Sequence, residues 1–129
     1  MKNSILLLLL SSLAYGHQPA VLSDLAALQW DKGIVVVNEV KSQEAILAMF
    51  KKNKSKIDER DMVWFVFTDS KVETNYQGSF SEDFVSNTKE RYQIKSGKIM
   101  LIGKDGGVKF LLDRMDIEAI FTEIDAMPM

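Results

Sequence analysis

Few residues in this 129-residue chain are of types that carry chemistry: there is no cysteine and a single histidine, His17. Without cysteine there is no nucleophilic thiol, no thiolate ligand and no redox pair. One histidine with no cysteine cannot assemble a zinc site, and a Ser-His-Asp triad would need that histidine anchored in a core. A terminal histidine can chelate copper through its amine and ring, but a two-histidine brace is closed to this sequence, so His17 reads as an adventitious ligand. Ser42 and Gln43 stand at the start of a helical pattern, where free N–H groups can hold a small anion or a partner's carboxylate. Glu39 and Glu44 put negative charge where that ligand would lie, and a serine nucleophile needs an adjacent base that is absent. Ser42 therefore reads first as a helix cap. Gly103, Gly106 and Gly107 match neither phosphate-binding glycine spacing and read as turn glycines. The acidic residues Asp58, Glu59, Asp61, Glu82, Asp83, Asp113 and Asp116 are scattered without calcium-loop spacing. No catalytic residue, cofactor or metal is expected.

The elements that must position these residues follow from hydrophobic periodicity. Residues 1–16 read as a signal peptide: Lys2 is the basic start, Ile5 to Leu13 the apolar stretch, and Ala14-Tyr15-Gly16 the small-residue cleavage site. The stretch is too short to span a bilayer, which takes about 20 apolar residues. A periplasmic or secreted product beginning at His17 is expected, with no membrane anchor after cleavage and one domain over 17–129. Lys51, Lys52, Lys54 and Lys56 are followed at once by Asp58, Glu59 and Asp61, and the net charge is −2, so nucleic acid is not an expected partner.

Leu22, Leu25 and Leu28, with Trp30, predict a short helix or turn. Ile34 to Val37 predicts a strand buried on both faces. A helix follows from Ser42, with Ile46, Leu47, Met49, Phe50 and Ile57 on one side. Met62 to Thr68 is a second buried strand, and Asp69 to Ser79 is expected as loop. Ser81 predicts the next N-cap, with Phe80 and Val85 as a hydrophobic staple. Ile99 to Ile102 and Val108 to Leu112 flank Asp105-Gly106, a hairpin signal that leaves Lys104 in solvent. A last helix carries Ile117, Ile120, Phe121, Ile124 and Met127 at helical spacing. The order strand-helix-strand-helix-hairpin-helix predicts an α/β fold of thioredoxin-like architecture, a mixed sheet with helices on both faces. In that architecture reactive cysteines lie between the first strand and its helix. Here that stretch runs from Asn38 to Gln43, and no proline stands near Ser96-Gly97-Lys98, where the fold usually has a cis-proline.

Leu101-Ile102-Gly103-Lys104-Asp105-Gly106-Gly107-Val108-Lys109 and Ile124 to Met129 resemble the closing motif of a thioredoxin-like family, domain of unknown function 4174. Glu59-Arg60-Asp61 before the second strand, and Leu25 with Trp30 before the first, fit the same pattern. The resemblance implies a short exported protein and transfers no enzymatic activity. The expected function is a non-catalytic exported binding or interaction module for an unidentified protein or small ligand. The alternative is an enzyme using carboxylates or hydroxyls near the start of the first helix.

Overall fold

A computed structural model describes residues 21–69 and 71–127; the expected signal peptide and His17 lie outside them. The centre of the fold is a parallel pair of strands, β1 (Gly33–Asn38) and β2 (Met62–Phe67), in register from Gly33 opposite Met62 to Asn38 opposite Phe67. Every residue of both strands is buried, as unbroken apolar runs require of a parallel pair covered on both faces. The crossover between them is helical, but it is two helices rather than the one expected. α1 (Gln43–Lys52) and α2 (Lys54–Glu59) break at Asn53, whose side-chain amide donates to the Met49 carbonyl at 2.8 Å. The stretch expected as loop holds a short strand, β3 (Val72–Thr74), antiparallel to β2 on its free side. Just past β3, the Asn75 side chain accepts the Trp64 N–H and donates to the Met62 carbonyl, continuing the pairing with an amide group in place of backbone.

α3 (Phe84–Tyr92) starts later than its cap signal implied. Asp83 holds the N-cap position, and the Ser81 hydroxyl donates to the Asp83 carboxylate at 2.7 Å instead of capping the helix. Phe80 and Val85 still pack on the same core, as a staple pair would. β4 (Lys98–Ile102) then pairs antiparallel with β1, and β5 (Val108–Leu112) pairs antiparallel with β4, as the hairpin signal predicted. α4 (Ile117–Asp125) closes the fold, its N-cap Asp116 accepting the Ala119 N–H at 3.0 Å. The sheet order is β3-β2-β1-β4-β5. This is the mixed α/β sheet with helices on both faces that the sequence predicted, and it is compatible with the thioredoxin-like arrangement.

Alternation along the strands divides the interior into two cores. Ile34 and Val36 face one with Phe65, Phe67 and Phe84, under α3 and the 3-10 turn Leu25–Leu28. Val35 and Val37 face the other with Ile46, Phe50, Trp64, Ile120 and Phe121, under α1, α2 and α4. Phe50 and Trp64 stack there with ring centroids 4.7 Å apart. Because Ile120 is fully buried and Glu118 exposed, Ile120→Ala is expected to cost about 2–5 kcal/mol in urea denaturation. Glu118→Ala is expected to change stability by no more than about 0.5 kcal/mol. Equal losses would mean that α4 is not packed through this face.

Candidate functional site

Four segments distant in sequence meet where β1 and β2 begin. Residues 29–32 lead into β1, Glu59-Arg60-Asp61 lead into β2, the β4–β5 loop turns beside them, and α4 ends there. The cleft they enclose is about 630 Å³.

The β4–β5 loop is built by its glycines. The Gly106 N–H donates to the Gly103 carbonyl at 3.0 Å and the Gly103 N–H to the Gly107 carbonyl at 2.9 Å, closing a three-residue turn over Lys104-Asp105-Gly106. Gly106 has φ +86°, the left-handed position such a turn requires. A side chain there would also place a Cβ 2.9 Å from the Gln29 side chain. That close approach is used: Gln29 Nε2 donates to the Asp105 carbonyl at 2.9 Å, and the Trp30 N–H donates to the Lys104 carbonyl at 2.5 Å. Lys104 is therefore not directed into solvent as the hairpin alone suggested. It is partly covered, and its Nζ lies 3.5 Å from the Asp61 carboxylate.

Trp30 is the most exposed large apolar side chain described, at 70%. Its φ of 75° is costly for a bulky L-residue, by about 1–2 kcal/mol. Asp61, across the cleft, is also left-handed, at φ 53°. Glu39 and Gln93, outside the cleft, are left-handed as well, at φ 49° and 53°. The cleft's charges are held in pairs. Arg60 Nε and Nη2 grip the two Asp125 carboxylate oxygens at 2.9 and 3.1 Å, with the guanidinium 4.5 Å from the centre of the Phe121 ring. Asp105 accepts the Gly107 N–H at 2.9 Å and the Lys109 ammonium at 3.0 Å. Ile124 and Met127 complete the apolar part of the wall.

Ser42 and Gln43 are elsewhere, where α1 begins beyond the far end of β1. Ser42 holds the N-cap position, but its hydroxyl makes no capping bond; its carbonyl accepts the Ile46 N–H at 3.1 Å. Ser42 is exposed and Gln43 partly buried, and neither lines the cleft. At that end Glu39 accepts the Lys89 ammonium at 2.9 Å and the Ser96 hydroxyl at 3.3 Å. The Lys89 hydrogen bond, then its charge, hold the Glu39 carboxyl below its usual range. Sequence reasoning gave no functional role to Trp30, Arg60, Lys104 or Asp105. The available signal was that these residues belong to the segments carrying the family resemblance.

The Gly107 N–H, and next the Lys109 hydrogen bond, hold the Asp105 carboxyl below the usual carboxylate range. A depressed folded-state pKa adds stability that is complete above the unfolded value near pH 4 and is lost as pH falls through the folded value. The stability difference between the wild type and Asp105→Asn, read by urea denaturation, is therefore expected to be constant near neutral pH and to narrow as pH falls below the unfolded value near pH 4. A difference independent of pH would mean that the Asp105 charge makes no contribution to the turn.

No curated protein and no solved structure matches the chain. Residues 24–129 match the family described as domain of unknown function (DUF4174). Trp30, Glu59-Arg60-Asp61, the stretch from Gly103 to Lys109 and the end of α4, which carry the resemblance in the sequence, are the segments that meet around this cleft. The chain belongs to the DUF4174 family.

Proposed function

We propose that the protein is an exported, thioredoxin-like binding module without thiol chemistry, whose ligand or partner is held in the cleft beside Trp30. The observation that carries this reading is Trp30 itself, an exposed indole fixed in a strained conformation by a backbone hydrogen bond to Lys104. An indole left in water forgoes its burial energy, and a strained backbone adds a further cost. Both costs are offset when the indole offers its apolar face to something else. Export is supported by the signal-peptide pattern of residues 1–16, and the absence of thiol chemistry by the lack of cysteine. A binding role fits a cleft whose volume is that of ordinary ligand sites and whose polar groups are already oriented by one another.

A fragment screen followed by 1H–15N NMR on the chain from His17 onward tests this. Hits should move the Trp30 indole N–H together with the amides of Arg60, Lys104 and Asp105, and leave those of Ser42 and Gln43 in place. The same protein should give no multiple turnovers in a disulfide-reductase assay. Hits gathered at Ser42 and Glu39 would move the site to the other end of the sheet, and sustained turnover would overturn the binding-module reading.

A further inference from the structure

We infer that the cleft takes a neutral sugar ring, stacked on the Trp30 indole with its hydroxyls bridging the charged groups of the flanking ion pairs. The inference rests on the reading of the cleft as a binding site and adds the class of ligand. It follows from how the charges are arranged. Each of the cleft's cations already has a carboxylate: Arg60 holds Asp125 at 2.9 Å, Lys104 holds Asp61 at 3.5 Å and Lys109 holds Asp105 at 3.0 Å. A phosphate or sulfate bound to one of these cations would lie against the carboxylate that cation already holds, and Glu59 beside them adds repulsion. A cationic ligand bound to one of these carboxylates would lie against the cation that carboxylate already holds. A purely apolar ligand would strip water from three ion pairs and return no hydrogen bond.

A sugar avoids each of these conflicts. Its hydroxyls donate and accept at neighbouring atoms, so adjacent hydroxyls can give a proton to a carboxylate oxygen and accept one from the ammonium or guanidinium beside it. The ion pair stays intact and its remaining lone pairs and protons are satisfied. The C–H face of a sugar ring is apolar and weakly electropositive, which suits the electron-rich face of an indole. An extended peptide fits less well, because main-chain groups bordering the cleft are engaged: the Trp30 N–H, the Lys104 and Asp105 carbonyls, and Gly103 with Gly107. Holding the Trp30 backbone and the carboxylates in place beforehand lowers the ordering cost of capturing a ligand that binds through many weak contacts.

The test is an NMR and tryptophan-fluorescence titration of the chain from His17 onward with four kinds of probe. These are neutral oligosaccharides (cello-, malto-, xylo- and chito-oligosaccharides), a sulfated disaccharide, mixed short peptides and a fragment library. At least one neutral oligosaccharide should shift the Trp30 indole saturably, with affinity changing by less than about twofold between low and high salt. Trp30→Ala should weaken that binding about tenfold. Asp61→Asn, which keeps the shape and tolerates the left-handed backbone, should also weaken it while thermal unfolding stays close to wild type. Stronger, salt-sensitive binding of the sulfated disaccharide, or sugar binding unchanged in Trp30→Ala, would overturn the assignment. Peptides or fragments that move Trp30 where no sugar does would overturn the sugar and leave the cleft as the binding site. If no probe moves Trp30, both readings fail.

Discussion

Two hydrogen bonds join parts of the chain that are 74 and 76 residues apart: the Trp30 amide to the Lys104 carbonyl, and the Gln29 side chain to the Asp105 carbonyl. They fix the lead-in to β1 against the β4–β5 loop, and the rest of the cleft depends on that contact. It requires Gly106, because a Cβ there would overlap the Gln29 side chain and the turn needs φ near +86°. It turns the Trp30 side chain outward and carries the backbone into β1. It also brings Lys104 within reach of Asp61, which couples the loop to the start of β2. Gly33 is part of the same closure, since a Cβ there would lie 2.8 Å from the Ile124 side chain of α4.

The sheet behind this contact holds without covalent help. Both faces of β1 and β2 are covered, and each face has its own aromatic cluster: Phe65, Phe80 and Phe84 on one, Phe50 with Trp64 on the other. A chain with no cysteine must draw its stability from such burial, which is worth about 25 cal/mol per Å² of apolar surface. The two ends of the sheet differ in kind. Beyond β1, Lys89 and Ser96 both donate to the Glu39 carboxylate. At the start of β1 the ion pairs stand open around a cleft. A smaller hollow of about 390 Å³ lies near the far end of the sheet, lined by Thr68, Asp69 and Phe84 among others.

The central strands, the hairpin and the last helix were legible because each is written locally, in apolar runs, an Asp-Gly turn and a 3.6-residue period. β3 was not, because only three residues pair and part of the job passes to the Asn75 side chain, which leaves no run of strand formers. The break at Asn53 was hidden because Ile57 continues the apolar face across it. Ser42 stands at a helix start, but its hydroxyl makes no capping bond. The cleft could not be read from periodicity at all. It depends on pairings such as Arg60 with Asp125 and Trp30 with Lys104, between residues that are ordinary surface types in their own segments. What the sequence did hold was the family resemblance, whose segments turned out to share one end of the sheet.

A binding role for the cleft requires Trp30 to be both exposed and held by its backbone before anything binds. The most direct measurement is 15N relaxation at the Trp30 backbone amide, with quenching of its indole fluorescence by a small neutral quencher; the buried Trp64 serves as internal reference. The predicted result is an order parameter near that of rigid backbone, about 0.85, for a tryptophan that is fully open to the quencher. An order parameter below about 0.6, or an indole as protected as that of Trp64, would contradict the account.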